Sequence, residues 1–67
     1  MAVARVTEVV CSSDKSFQDA VEQGIERAAR TLRGMTGCKV LEQKAKIIDG
    51  RISEYRVQMA ITFVLDE

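Results

Sequence analysis

The sequence predicts an α+β fold: a three-stranded antiparallel sheet with one helix packed on one face, in the order β-α-β-β, forming a single domain over residues 1–67. Three observations predict it. A stripe of apolar residues at helical spacing runs from Phe17 onward, a strictly alternating stretch closes the chain, and Asp49-Gly50 stands between that stretch and a second strand-like segment. A chain of 67 residues has room for one domain only.

The first strand spans Val3 to Cys11 and is rich in valine, which suits a pleated, half-buried surface. Ser12-Ser13-Asp14 then reads as the loop that feeds the helix. The helix begins at Ser16. Phe17, Ala20, Val21, Gly24, Ile25, Ala28, Ala29, Leu32 and Met35 fall on one face, and the expected stop is Gly34, with Gly37 soon after. Ser16 is placed to accept a bond from the amide three residues on, and Asp19 to reach back, a short-armed capping box. Acids come early on the polar face (Asp19, Glu22) and bases late (Arg27, Arg30, Arg33), as the helix dipole favours.

Cys38 to Ile48 reads as the second strand, and Asp49-Gly50 supplies the positive backbone angles of a two-residue hairpin turn. In the last strand Tyr55, Val57, Met59, Ile61, Phe63 and Leu65 form the core face. Counting outward from the turn pairs Ile48 with Arg51, Val40 with Met59 and Cys38 with Ile61. The same count puts Leu41, Ala45, Ile47, Ala60, Thr62 and Val64 on the far face, with Leu41 and Gln43 sharing that face with Arg56. No second helix exists to cover this apolar set. Either further copies of the chain shield it in a closed oligomer, or the residues are scattered surface apolars of a monomer.

Composition narrows the function classes. A chain of this size buries roughly 60% of its unfolded surface, so small domains lean on disulfides, metals or oligomerisation. Cys11 and Cys38 lie in apolar strand-like stretches with no signal peptide before them, which predicts a reduced, cytoplasmic chain with thiols that serve as inert packing. The absence of histidine and of paired cysteines argues against zinc. Ten basic and ten acidic side chains balance, so no net field favours nucleic acid or an anionic membrane, and no apolar run is long enough to span a bilayer. Without histidine, a nucleophile turn, a phosphate loop or paired acids at a cleft, the chain is not expected to be an enzyme.

Three stretches carry a family resemblance: Ser12-Ser13-Asp14-Lys15-Ser16-Phe17 into the helix, Ala28-Ala29-Arg30-Thr31-Leu32-Arg33 out of it, and the closing Tyr55-Arg56-Val57-Gln58-Met59-Ala60-Ile61-Thr62-Phe63 strand. In order, spacing and total length the chain resembles the dodecins, small proteins that assemble as hollow dodecamers and typically bind flavins between subunits. The resemblance implies a homododecamer with helices outside and sheets wrapped against neighbours, used to bind or store a small ligand.

Flavin-binding dodecins carry a tryptophan after the helix, on which the isoalloxazine ring stacks, and the matching position here is Gly37. They also carry a glutamine after the tyrosine of the last strand, and the matching position is Arg56. Losing the aromatic platform should weaken flavin binding by more than about tenfold. A calcium-binding kind of dodecin also lacks the tryptophan, and Glu42-Gln43 and Tyr55-Arg56 resemble it. The sequence offers hard oxygen ligands in Glu8, Asp14, Asp19, Glu42, Asp49 and Glu54, without EF-hand spacing. Glu42 is the first metal candidate, since symmetry would multiply one carboxylate into a ring; it also suits a wet strand end or an ion pair with a lysine such as Lys44 or an arginine, while Asp49 suits a plain turn residue. Arg56 fits an anionic ligand or an intersubunit bridge to Glu54, Glu42 or Glu67. Lys39, Lys44, Lys46 and Arg51 would either draw a phosphate-bearing ligand or form a solvated face. A purely structural oligomer is the remaining alternative.

Overall fold

The computed structural model describes residues 3–65. Strand β1 (Val3–Ser13) leads to helix α1 (Phe17–Ala28), then β2 (Met35–Ile48) and β3 (Arg51–Leu65). The sheet runs β1-β3-β2 with both neighbouring pairs antiparallel, so the last strand in sequence is central in space. This is the β-α-β-β fold expected from the periodicity, and its alternating β3 supplies the core: Val57, Met59 and Ile61 are buried beneath α1 together with Ala20. Phe17 at the start of α1 meets Tyr55 edge to face, ring centroids 5.0 Å apart.

The helix packs on β1 and β3, and β2 lies outside its cover: beyond Met35, every residue of β2 is exposed. Among the described residues no helix is long and apolar enough to cross a membrane. Where α1 crosses β1 it comes close enough that a Cβ on Gly24 would collide with the Cys11 sulfur and lie 2.8 Å from Met59 Cε.

Ser16 caps α1 as expected, its hydroxyl accepting from the Asp19 amide at 2.9 Å. The reciprocal half of the capping box is not made. Asp19 instead accepts from the Ser13 hydroxyl at 2.5 Å and the Gln23 amide at 2.6 Å, because Ser13 extends β1 to pair with Tyr55 and brings its side chain to the helix start. Replacing Ser16 by Ala should cost about 1 kcal/mol and lower the melting temperature by about 4–8 °C, read by circular dichroism.

The helix stops six residues short of Gly34. After Ala28 the backbone tightens, Arg30 and Thr31 donating to carbonyls three residues back at 3.1 Å each, and the Thr31 hydroxyl reaching the Ala28 carbonyl. Leu32 still packs on the core, so apolar spacing continues past the point where helical bonding ends. Met35, read as helical, opens β2 opposite Phe63. Gly34 serves this exit: with φ +73 it turns the chain into β2, and its carbonyl accepts from the Val64 amide at 2.9 Å.

The hairpin turns at Asp49 and Gly50, with φ of 53 and 75, as a two-residue turn requires. Ile48 pairs with Arg51, Val40 with Met59 and Cys38 with Ile61, the three pairs that counting outward anticipates. Between them the count fails. Ser53 on β3 and Leu41 on β2 are left unpaired, so Lys46 faces Glu54, Lys44 faces Arg56 and Glu42 faces Gln58. The two bulges cancel, leaving both ends in register and the middle shifted by one. A third irregularity falls at Thr36.

The shift corrects the expected far face. Ala60, Thr62 and Val64 are there, but Ala45 and Gln43 pair with Tyr55 and Val57 on the helix side, Leu41 is the bulge itself, and Ile47 pairs with Ile52 at the hairpin tip. Val6 and Val10 of β1 take their place on the open face, 62% and 72% exposed. The cysteines are also corrected. Cys11 is only half-buried and Cys38 is exposed, because β2 lies beyond the helix; both are free thiols. Burial, and secondarily the Cys38 thiol, pushes the Cys11 pKa up.

Candidate functional site

The sheet face opposite the helix is bare, and the bulges decide what stands on it. Directly paired residues share a face, so Glu42, Lys44, Arg56 and Gln58 all point away from the helix. With Val10 of β1 they line a depression of about 150 Å³. Lys44 Nζ lies 3.5 Å from Glu42 Oε1, and Arg56 holds Glu54 Oε2 through Nε at 3.1 Å and Nη2 at 2.9 Å. Gln58 donates its side-chain amide to Glu8 at 2.9 Å, tying β3 to β1 across the face.

The structure sorts the residues expected at the site. Arg56 and Glu42 meet in the depression, although simple counting places Glu42 on the other side. Gln43 leaves it: its partner is Val57, and it points to the helix side. Gly37 is on the open face opposite Thr62, six positions along β3 from Arg56, about 20 Å at ~3.4 Å per residue. One chain therefore does not join these two positions. A Cβ at Gly37 would have nothing within 4 Å, so the place matching the stacking tryptophan is open space on an edge strand. Next to it Ile25, Met35, Cys38 and Ile61 line a shallow apolar hollow.

Arg56 is engaged within its own strand by Glu54; Glu67, another expected partner, lies outside the described residues. Among the described residues no three carboxylates or thiols converge as a metal-binding group, and Glu42 is turned to Lys44. Asp49 is a turn residue. Sequence reading missed Gln58 and Val10, which strand alternation and the unbroken β1–β3 pairing put on the open face, and the apposition of Lys44 with Arg56, which depends on where the bulges fall.

The Arg56 hydrogen bond, foremost, holds the Glu54 carboxyl below its ordinary 4.5. A carboxyl depressed in the folded state contributes stability that is complete above pH 4.5 and fades as pH falls through the folded value. Arg56→Gln should therefore lower the melting temperature slightly at neutral pH and leave it unchanged well below pH 4.5, so that the acid limb of the profile flattens.

Comparison with known proteins follows the same fold. A family model described as Dodecin matches residues 3–66. The dodecin of Thermus thermophilus is 29% identical over 65 residues, covering 97% of this chain and 94% of its own. Among solved structures, dodecin from Streptomyces davaonensis is 35% identical with a TM-score of 0.93, covering 98% of this chain and 97% of its own. The calcium dodecin of Mycobacterium tuberculosis, described as calcium-chelating with a novel calcium-binding site, is 23% identical with a TM-score of 0.82 over 96% of this chain and 91% of its own, a likeness of fold alone.

Proposed function

The chain belongs to the dodecin family, and on that premise we propose that it is a small-ligand binding or storage protein whose ligand sits on the open sheet face, between copies in a closed homododecamer. The observation that carries this reading is the bare face itself. Val6 and Val10 stand uncovered beside the polar depression of Glu42, Lys44, Arg56 and Gln58, and the whole of β2 beyond Met35 lies outside the helix. Exposed apolar surface next to a few convergent polar groups suits a shared pocket closed by a neighbour.

The ordinary flavin contacts are altered. Gly37 offers no ring to stack on, and Arg56 replaces an amide that both donates and accepts with a group that only donates. Neutral flavins should bind weakly. The reading further holds that the protein is cytoplasmic, one domain, without enzymatic activity and without nucleic-acid or membrane partners, in keeping with its balanced charge.

A calcium-binding shell is the second reading, and Glu42 on the open face is what favours it. That reading requires Glu42 to leave Lys44 and meet carboxylates of other copies. Calorimetry with calcium, on the wild type and on Glu42→Ala, tests it, and absence of heat in both removes it.

The leading reading is tested by a native mass measurement together with riboflavin fluorescence. The expected result is an oligomer of twelve copies with little quenching at micromolar protein. A well-folded lone protomer at low concentration would remove the shared pocket altogether.

A further inference from the structure

We propose that Lys44 and Arg56 together receive the oxyanion group, phosphate or carboxylate, of a small ligand. This assignment rests on the small-ligand reading above and names the ligand chemistry that the open face takes.

The first ground is the register. Lys44 stands directly opposite Arg56, and like charges in directly opposed positions of a sheet destabilise it. The uninterrupted register, which pairs Gln43 with Arg56 and Lys44 with Tyr55, would avoid the clash. The chain instead breaks its ladder twice, at Leu41 and Ser53, and holds the cations together on the open face. An anion between them turns that repulsion into a binding energy.

The second ground is that neither cation is firmly committed. Lys44 meets Glu42 at 3.5 Å, with its own side chain 66% exposed, and Arg56 meets Glu54 at 2.9 Å. Both carboxylates come from the cation's own strand, two residues away, and surface pairs of this kind contribute little. A guanidinium carries five N–H donors in a planar fork, and Glu54 engages only the Nε and Nη2 positions.

The third ground is the space. The depression of about 150 Å³ lies between the cations, with Val10 as an apolar wall and the Gln58 amide at its edge. That volume is roughly five waters at ~30 Å³ each, enough for a phosphate or carboxylate and the first atoms bonded to it. Bidentate, charge-assisted bonds from a guanidinium suit both groups.

The test is calorimetric titration of the assembled wild-type protein at low ionic strength with inorganic phosphate, with succinate and with riboflavin. At least one of the two anions should bind, more weakly as salt is raised. Lys44→Gln and Arg56→Gln should each weaken it by about tenfold or more, with circular dichroism confirming that both variants fold. Phosphate without succinate identifies a phosphoryl ligand, and the reverse a carboxylate. The proposal is overturned if neither anion binds, or if binding survives both substitutions. Riboflavin binding with no anion binding would remove the proposal and leave the small-ligand reading standing, whereas a lone protomer by mass would remove that reading first.

Discussion

Gly37→Trp combined with Arg56→Gln should raise riboflavin affinity by more than about tenfold over the wild type. The route to the gain is steric as well as chemical. An added Cβ at Gly37 meets no atom within 4 Å, so the indole can be placed without moving the sheet. A stacked aromatic pair contributes about 0.5–1.5 kcal/mol beyond burial, and burying ~100 Å² of ring adds about 2.5 kcal/mol before the costs of ordering. Glutamine at position 56 restores an amide that can both donate and accept. The same variant removes one of the two cations opposed on the open face, so phosphate or succinate binding should fall while riboflavin binding rises. Fluorescence quenching and calorimetry read the two in one preparation. A variant that folds and assembles yet binds riboflavin no better than the wild type would show that the ligand pocket of this chain lies elsewhere.

Gly34→Val should be the most damaging single substitution at an exposed position, lowering the melting temperature by about 10 °C or more. Gly34 has φ +73, a conformation that costs other residues about 1–2 kcal/mol and β-branched side chains more. A Cβ there would also lie 2.7 Å from the Val64 carbonyl oxygen. That oxygen belongs to the backbone of the central strand and cannot step aside as a flexible side chain would. Relief of the contact would pull the chain from β3 and break the Val64 amide bond to the Gly34 carbonyl. A thermal melt followed by circular dichroism measures the effect, and an unchanged midpoint would mean that this exit from the helix is not held as described.

Much of the fold was legible because its signals are local. Ser16 announces the helix by capping chemistry, Asp49-Gly50 announces the turn by backbone preference, and the alternation from Tyr55 to Phe63 marks the buried face of β3 without reference to any other element. The helix end was less legible. Leu32 keeps the apolar spacing because it packs on the core, not because it is helical, and periodicity cannot separate the two.

The candidate site was legible in its residues and not in their arrangement. Arg56, Glu42 and Gly37 lie on the open face; Gln43 does not, and Lys44 and Gln58 do. Hairpin counting fails here in an instructive way, because both anchors, the turn and the pairs Val40 with Met59 and Cys38 with Ile61, fit equally well with two bulges or none.

The sequence by itself determined the element order, the cap, the turn and the buried side of the last strand, since each follows from neighbours within a few residues. Only the tertiary structure decided which chemistry the open face carries. Without the bulges, Glu42 and Lys44 would stand beside buried Val57 and the Phe17–Tyr55 contact, where charges lose hydration. Breaking the ladder at Leu41 and Ser53 turns them outward to Arg56 and Gln58, a balance between core and water that no local pattern records.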